Sequence, residues 1–131
     1  NKLDLEPEDE VALCEYAKKT FDSDFIFVTH FPSSKPPFYA MNSKEDPRLA
    51  YKFDLLFRGL EITSGGQRIH NYQEQVDKMI AQGLNLEAHK YGLPPHGGLG
   101  IGLERFVMKL LGLSNVRQAS MFPRDINRLL P

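Results

Sequence analysis

Gly98-Leu99-Gly100-Ile101-Gly102-Leu103-Glu104-Arg105, running without a break into Phe106-Val107-Met108-Lys109-Leu110-Leu111-Gly112, decides how the rest of the chain is read. Successive side chains of a strand point to opposite faces, so Gly98, Gly100 and Gly102 leave one face bare while Leu99, Ile101 and Leu103 make the other apolar. The apolar face is expected to pack and the bare face to admit something close. Glycine weakens a strand through entropy and lost packing, so three on one face imply a backbone or a ligand lying against them. From Leu103 the period changes: Leu103, Phe106, Val107, Leu110 and Leu111 fall at the i, i+3, i+4, i+7, i+8 positions of an amphipathic helix, and Gly112 is a natural stop for it.

The junction puts Arg105 in the first helical turn, where the macrodipole favours anions and a cation is slightly unfavourable. A bare strand face beside a guanidinium and free helix N–H groups could hold a flat base and a phosphate. The competing reading is a glycine strand crowded by another strand, with Arg105 an ordinary surface residue. No Gly-x-Gly-x-x-Gly register fits Gly97 to Gly102, and no Gly-Lys-Ser/Thr phosphate loop occurs.

The surrounding chain sets limits. Its 131 residues fit one domain, and 41% hydrophobic with 25% charged residues is ordinary globular composition. Sixteen basic against seventeen acidic residues give a net charge of −1, which lacks the footprint of an autonomous nucleic-acid binder. The single cysteine, Cys14, cannot form an internal disulfide, so a reducing compartment is expected. Neither a signal peptide nor a bilayer-length apolar run is present, which reads as cytoplasm.

Taken in order, Pro7 followed by Glu8, Asp9 and Glu10 reads as a helix first turn, continued by Leu13, Tyr16, Ala17 and Phe21. Phe25 to Thr29 reads as a buried strand, Ser33 to Pro37 as a turn or loop, Phe38 to Met41 as a brief strand and Asn42 to Pro47 as a loop. Tyr51 to Arg58 resumes a strand with Phe53, Leu55 and Phe57 alternating against Asp54, Leu56 and Arg58; beyond Gly59 comes Leu60 to Thr63. Two strands joined at Gly59 and one bulged strand fit this equally well. After a Ser64-Gly65-Gly66 turn, Tyr72, Val76, Met79 and Ile80 mark a second amphipathic helix ending near Gly83. A short piece from Leu86 to Tyr91 leads to Pro94-Pro95-His96-Gly97, a rigid entry into the glycine strand, and Asn115 to Gln118 reads as another helical turn. There is no internal repeat.

Three groups could carry chemistry. Asp54 and Glu61 are acids inside otherwise apolar strands, costly to bury unless paired or bound to a cation, and hard oxygens suit Mg²⁺ alongside phosphate oxygens. The bland alternative is a half-exposed face on which both are solvated. Arg68, after the glycine pair, presents a planar fork able to grip a carboxylate by two parallel bonds, or is a surface arginine. The four histidines, His30, His70, His89 and His96, show no metal-ligand spacing, so zinc is not expected, and no Ser-His-Asp arrangement follows from residue order.

These residues together resemble a family. Gly98 to Arg105 is similar to the third signature motif of class II aminoacyl-tRNA synthetases. The run Phe53 to His70, Pro94-Pro95-His96-Gly97 and Phe122-Pro123-Arg124-Asp125 resemble aspartyl-tRNA synthetases of the archaeal and eukaryotic type. The resemblance covers essentially the whole chain. It implies an α+β fold, a six-stranded antiparallel sheet flanked by helices, of which residues 1–131 would form the C-terminal part of the catalytic domain. It implies a reaction in which aspartate attacks the α-phosphate of ATP before the aspartyl group passes to tRNA. By motif, Asp54 and Glu61 would hold Mg²⁺ on the ATP phosphates, with Ser64 nearby. Arg68, grouped with Ser64 in the amino-acid pocket, would read the aspartate carboxylate. Gly98, Gly100 and Gly102 would floor the nucleotide, and Arg105, with Glu61 the catalytic pair, would stack on adenine and reach the γ-phosphate. The whole enzyme would be a homodimer that binds tRNA and no membrane.

The first two class motifs and the anticodon-binding domain would lie before Asn1, and the stretch around Asn85-Leu86 is shorter than in relatives. This chain therefore reads as the back half of a catalytic domain that leaves a strand edge and apolar area exposed and by itself is inactive. Two alternatives stand beside this reading. One is an asparaginyl-tRNA synthetase or asparagine synthetase on the same fold, which would need no arginine fork at position 68. The other is a non-catalytic synthetase-like module.

Overall fold

The computed structural model describes residues 4–34, 37–81, 83 and 88–129. Part of the Ser33–Pro37 turn and the shortened stretch at Asn85-Leu86 lie outside these residues. The elements run α1 (Pro7–Phe21), β1 (Phe25–Pro32), β2 (Leu49–Phe57), β3 (Glu61–Gln67), α2 (Tyr72–Ile80), β4 (Gly97–Ile101) and α3 (Leu103–Leu110), with 3₁₀ turns at Ala88–Tyr91 and Val116–Ala119. The strands form one antiparallel sheet in the order β1-β2-β3-β4, so the described part of the chain carries four of the six strands expected, in an α+β arrangement.

Gly59 joins two strands. Arg58 and Gly59 have φ of +48° and +82°, the signature of a type I′ hairpin, and Phe57 N–H donates to Leu60 O at 2.8 Å while Leu60 N–H donates back at 3.2 Å. Phe38 to Met41 makes isolated bridges instead of a strand, Ala40 pairing with Arg68 and Asn42 with Ala50. Ser64-Gly65-Gly66 is not a turn but the middle of β3. A Cβ on Gly65 would lie 2.7 Å from Gly98 O, and one on Gly66 2.5 Å from Tyr51 O. The glycines are there because neighbouring backbones come too close for any side chain.

By contacts the chain divides into two compact units, one built on Val28–Asp54 and Ser64–Gly100, the other on Leu5–Phe27, Leu55–Thr63 and Ile101–Pro131. In the first, Phe31, Ala40, Met41, Ala50, Ile69 and Met79 are buried, together with Asp54 and Gln75. Helix α2 is capped by Asn71, whose Oδ1 accepts from Glu74 N–H at 3.1 Å. It turns Gln75 and Met79 inward, while Tyr72 and Ile80, two of the apolar positions expected inside, lie on its exposed side. The i, i+4 pair that packs is therefore centred on a glutamine that hydropathy does not mark.

In the second unit Cys14, Ala17, Leu56, Phe57 and Ile62 are buried, and Phe57 stacks on Phe25 and meets Phe106 at ring-centroid distances of 4.5 and 5.3 Å. Helix α1 begins at Pro7 with Glu6 N–H donating to Asp9 Oδ2 at 3.0 Å, and it buries Cys14 and Ala17; Tyr16 and Phe21 are exposed and pair with each other instead. Helix α3 stops at Gly112, whose φ of +68° lets Leu113 N–H reach Met108 O at 2.9 Å and Gly112 N–H reach Lys109 O, a Schellman closure.

Two apolar surfaces depart from expectation. β1 is an end strand of the sheet, and of its apolar side chains only Phe31 is buried, with Phe27 62% exposed. Leu99, Ile101 and Leu103, the face expected to pack, are 58%, 63% and 63% exposed, because β4 is the other end strand and the described residues do not cover that side. No helix is long and apolar enough to cross a membrane among the described residues.

Gly66→Ala is expected to destabilise by about 2 kcal/mol through forced backbone displacement, whereas Gly100→Ala, with nothing within 4 Å, should stay within about 0.5 kcal/mol of the parent; urea unfolding midpoints check both. The exposed end strands and leucines are expected to make the 131-residue polypeptide self-associate, and light scattering at high concentration checks it: a clean monomer would contradict the expectation.

Candidate active site

In the first unit the strand pairing brings Arg68 against the Tyr39 ring and Gly98. Arg68 follows the last residue of β3, and its N–H donates to His96 O at 3.0 Å, which ties it to the segment entering β4. Its guanidinium carbon lies 4.0 Å from the centroid of the Tyr39 ring. Gly98 faces its Nε–Nη2 edge: a Cβ there would come within 3.1 Å of both nitrogens and lie farther, 3.5 Å, from the guanidinium carbon. The first glycine of the bare face thus leaves that donor edge clear, while the ring holds the cation by a cation–π contact. Among the described residues the Arg68 guanidinium has no hydrogen-bonding or ionic partner. It is a half-buried cation with its donor edge unused.

Asp54 is 2% exposed, so the reading in which it is solvated on a half-exposed face does not hold. Its Oδ2 accepts from Lys52 Nζ at 2.8 Å, and Oδ1 is buried without a hydrogen-bond partner. Lys52 lies two residues earlier on the same strand face, its side chain 18% exposed and its ammonium 3.9 Å from the Phe31 ring centroid. A hard carboxylate oxygen left bare at this depth suits a divalent cation, so Asp54 fits Mg²⁺ while sharing its second oxygen with a lysine. No three His, Cys, Asp or Glu side chains gather to hold a metal among the described residues, so protein ligation there would be sparse. Ser64 is half-buried at the start of this unit's part of β3. Gly100 faces open space, with nothing within 4 Å of where its Cβ would be, unlike Gly98 on the same face.

In the second unit Arg105 is exposed but anchored. Its side chain folds over Gly102, where a Cβ would come 3.3 Å from Arg105 Cδ, and Nη1 donates to Glu61 O at 3.1 Å. The third glycine is therefore there to let the arginine lie back along the strand. Glu61 is half-buried, and its N–H donates to Glu10 Oε2 at 2.9 Å. The backbone of Glu61 thus links α1, β3 and α3 within this unit.

Three contributors were not singled out in the sequence. Lys52 was legible as an i, i+2 partner of Asp54 on one strand face. Tyr39 and Gln75 were not, since their roles depend on which non-local segments meet.

Residues 1–126 match the family model of class II tRNA synthetases (D, K and N). The chain belongs to this family. It is 53% identical over 135 aligned positions to the aspartate–tRNA(Asp/Asn) ligase of Thermus thermophilus, a match that covers 98% of this chain and 32% of that protein. In structure it is similar to the aspartyl-tRNA synthetase of Entamoeba histolytica, with a TM-score of 0.91 and 39% identity over 98% of this chain and 28% of that one. It is also similar to the asparaginyl-tRNA synthetase of Pyrococcus horikoshii, with a TM-score of 0.84 and 31% identity over 98% and 31% of the two chains. The chain spans about a third of the length of the curated relatives it matches.

Lys52 and Asp54 are expected to depend on each other. Lys52→Met and Asp54→Leu should each cost about 3 kcal/mol by stranding the other charge, and the double variant should cost less than their sum; a double-mutant cycle from urea unfolding measures the coupling.

Proposed function

We propose that this chain is the C-terminal part of the catalytic domain of an aspartate–tRNA ligase of the archaeal and eukaryotic type, with the third class motif at Gly98 to Arg105. The observation that carries this reading is the Arg68 guanidinium, set over the Tyr39 ring with its Nε–Nη2 edge left clear by Gly98 and its donors unspent. A planar carboxylate fits that fork, and the side-chain carboxylate of aspartate is one. Similarity to aspartate-specific relatives supports the same choice.

In this reading the aspartate α-carboxylate oxygen attacks the α-phosphorus of ATP, pyrophosphate leaves, and the aspartyl group of the adenylate then passes to a terminal ribose hydroxyl of tRNA with AMP as leaving group. Arg68 fixes the substrate side chain, with Ser64 in the same pocket. The open face at Gly100, with Gly98 and Gly102, floors the nucleotide, and Arg105 stacks on adenine and reaches the γ-phosphate. Asp54 and Glu61 would hold Mg²⁺, which when bound would neutralise charge on the phosphates. No protein nucleophile is needed, because positioning and electrostatic stabilisation lower the barrier. The whole enzyme would be a cytoplasmic homodimer, with tRNA bound through parts beyond this chain.

Aspartate-dependent ATP–pyrophosphate exchange by the native polypeptide that carries this chain tests the reading. Arg68→Lys is expected to raise the aspartate KM on the order of 100-fold, since one point charge replaces a two-bond fork, with the ATP KM unchanged. Unchanged aspartate kinetics in Arg68→Ala would overturn the assignment. The similarity to an asparaginyl-tRNA synthetase motivates a second reading, in which asparagine supports exchange as well as aspartate does and Arg68→Lys leaves it untouched. Absence of exchange with either amino acid would favour a non-catalytic module.

A further inference from the structure

The Tyr39 ring that the Arg68 guanidinium lies over is not held by a regular strand. It sits in the segment Phe38 to Asn42, which makes only isolated bridges, and its own backbone anchors are Ile69 N–H on Tyr39 O at 2.9 Å and Met41 N–H on Gln67 O at 2.9 Å. These fix the segment along one edge. The other edge faces α2, and there two side chains at i, i+3 reach the carbonyls on either side of Tyr39. Gln75 Nε2 donates to Phe38 O at 2.9 Å, and Lys78 Nζ donates to Ala40 O at 2.6 Å and to Asn42 Oδ1 at 2.9 Å.

Neither residue is placed where packing alone would put it. Gln75 is fully buried, and its Oε1 has no hydrogen-bond partner, so a leucine of similar volume would suit the helix interior better. Lys78 is desolvated enough that burial pushes its ammonium below the usual lysine value. Both accept an unfavourable environment and in return clamp one three-residue stretch.

We infer that Gln75 and Lys78 are positioning residues for the carboxylate fork: by holding the Phe38 and Ala40 carbonyls they fix the Tyr39 ring, and through it the plane of Arg68. The inference rests on Arg68 as the aspartate-reading residue. Loosening the clamp lets the ring move out from under the guanidinium, which weakens grip on a planar carboxylate and leaves nucleotide contacts alone.

The test uses the native polypeptide with ¹⁵N-arginine labelling, the Arg68 Nε–Hε signal being assigned by its loss in Arg68→Lys. Tyr39→Leu supplies the full ring-current displacement of that signal. Gln75→Leu/Lys78→Met is expected to give at least half of this displacement and to raise the aspartate KM about tenfold, with the ATP KM and kcat unchanged. Lys78→Arg, which keeps donors, should restore most of the aspartate KM in the Gln75 background. Gln75→Leu alone, which removes the orphaned oxygen and conserves volume, provides a folded variant in which a smaller displacement of the same sign is expected. An unmoved Arg68 signal in the double variant, or aspartate and ATP KM values that rise together, would overturn the inference. A displaced signal with an aspartate KM indifferent to Arg68→Lys would uphold the clamp and remove the aspartate reading instead.

Discussion

Close backbone approach along β3 is the constraint on which the first unit depends. Gly66 lies beneath the Tyr51 carbonyl, Gly65 beneath the Gly98 carbonyl, and Gly98 beside the Nε–Nη2 edge of Arg68. Side chains at Gly65 or Gly66 would push the strands apart, and one at Gly98 would crowd the Arg68 donor edge. The same absence of Cβ atoms therefore closes the sheet and keeps that edge clear.

Charge is handled differently at Lys52, Arg68 and Arg105. Lys52 is paired with Asp54 at depth, an arrangement that leaves one carboxylate oxygen bare and ready for a second cation. Arg105 spends one N–H on the Glu61 carbonyl and lies over Gly102, so its position is set by backbone rather than by an acid. Arg68 has neither kind of partner among the described residues and is held by stacking alone. Stacking fixes a plane while leaving the donor edge free, which is what recognition of a flat anion requires.

Much of this was legible beforehand. The alternation of Gly98 to Leu103 and the helical spacing from Leu103 to Leu111 located β4, α3 and their junction, because both periods arise from local backbone geometry. Gly112 marked the helix end for the same reason. Burial was read less well. Tyr16, Phe21, Tyr72 and Ile80 are at helical spacing yet exposed, while Cys14 and Gln75 are inside, since the face a helix buries depends on what it is packed against. The glycine pair after Ser64 signals a turn locally yet lies within β3, because the reason for it, a neighbouring backbone, is non-local.

By itself the sequence determined the family and the places of α1, α2, β4 and α3, which rest on local spacing and on motifs that survive in the linear chain. Only the tertiary structure decided that Asp54 is buried and shared with Lys52, that Arg68 lies over the Tyr39 ring, and that α2 reaches the carbonyls of Phe38 and Ala40 with Gln75 and Lys78. These contacts join residues far apart in the chain, and their distances follow from how strands and helix pack rather than from any preference of the residues themselves.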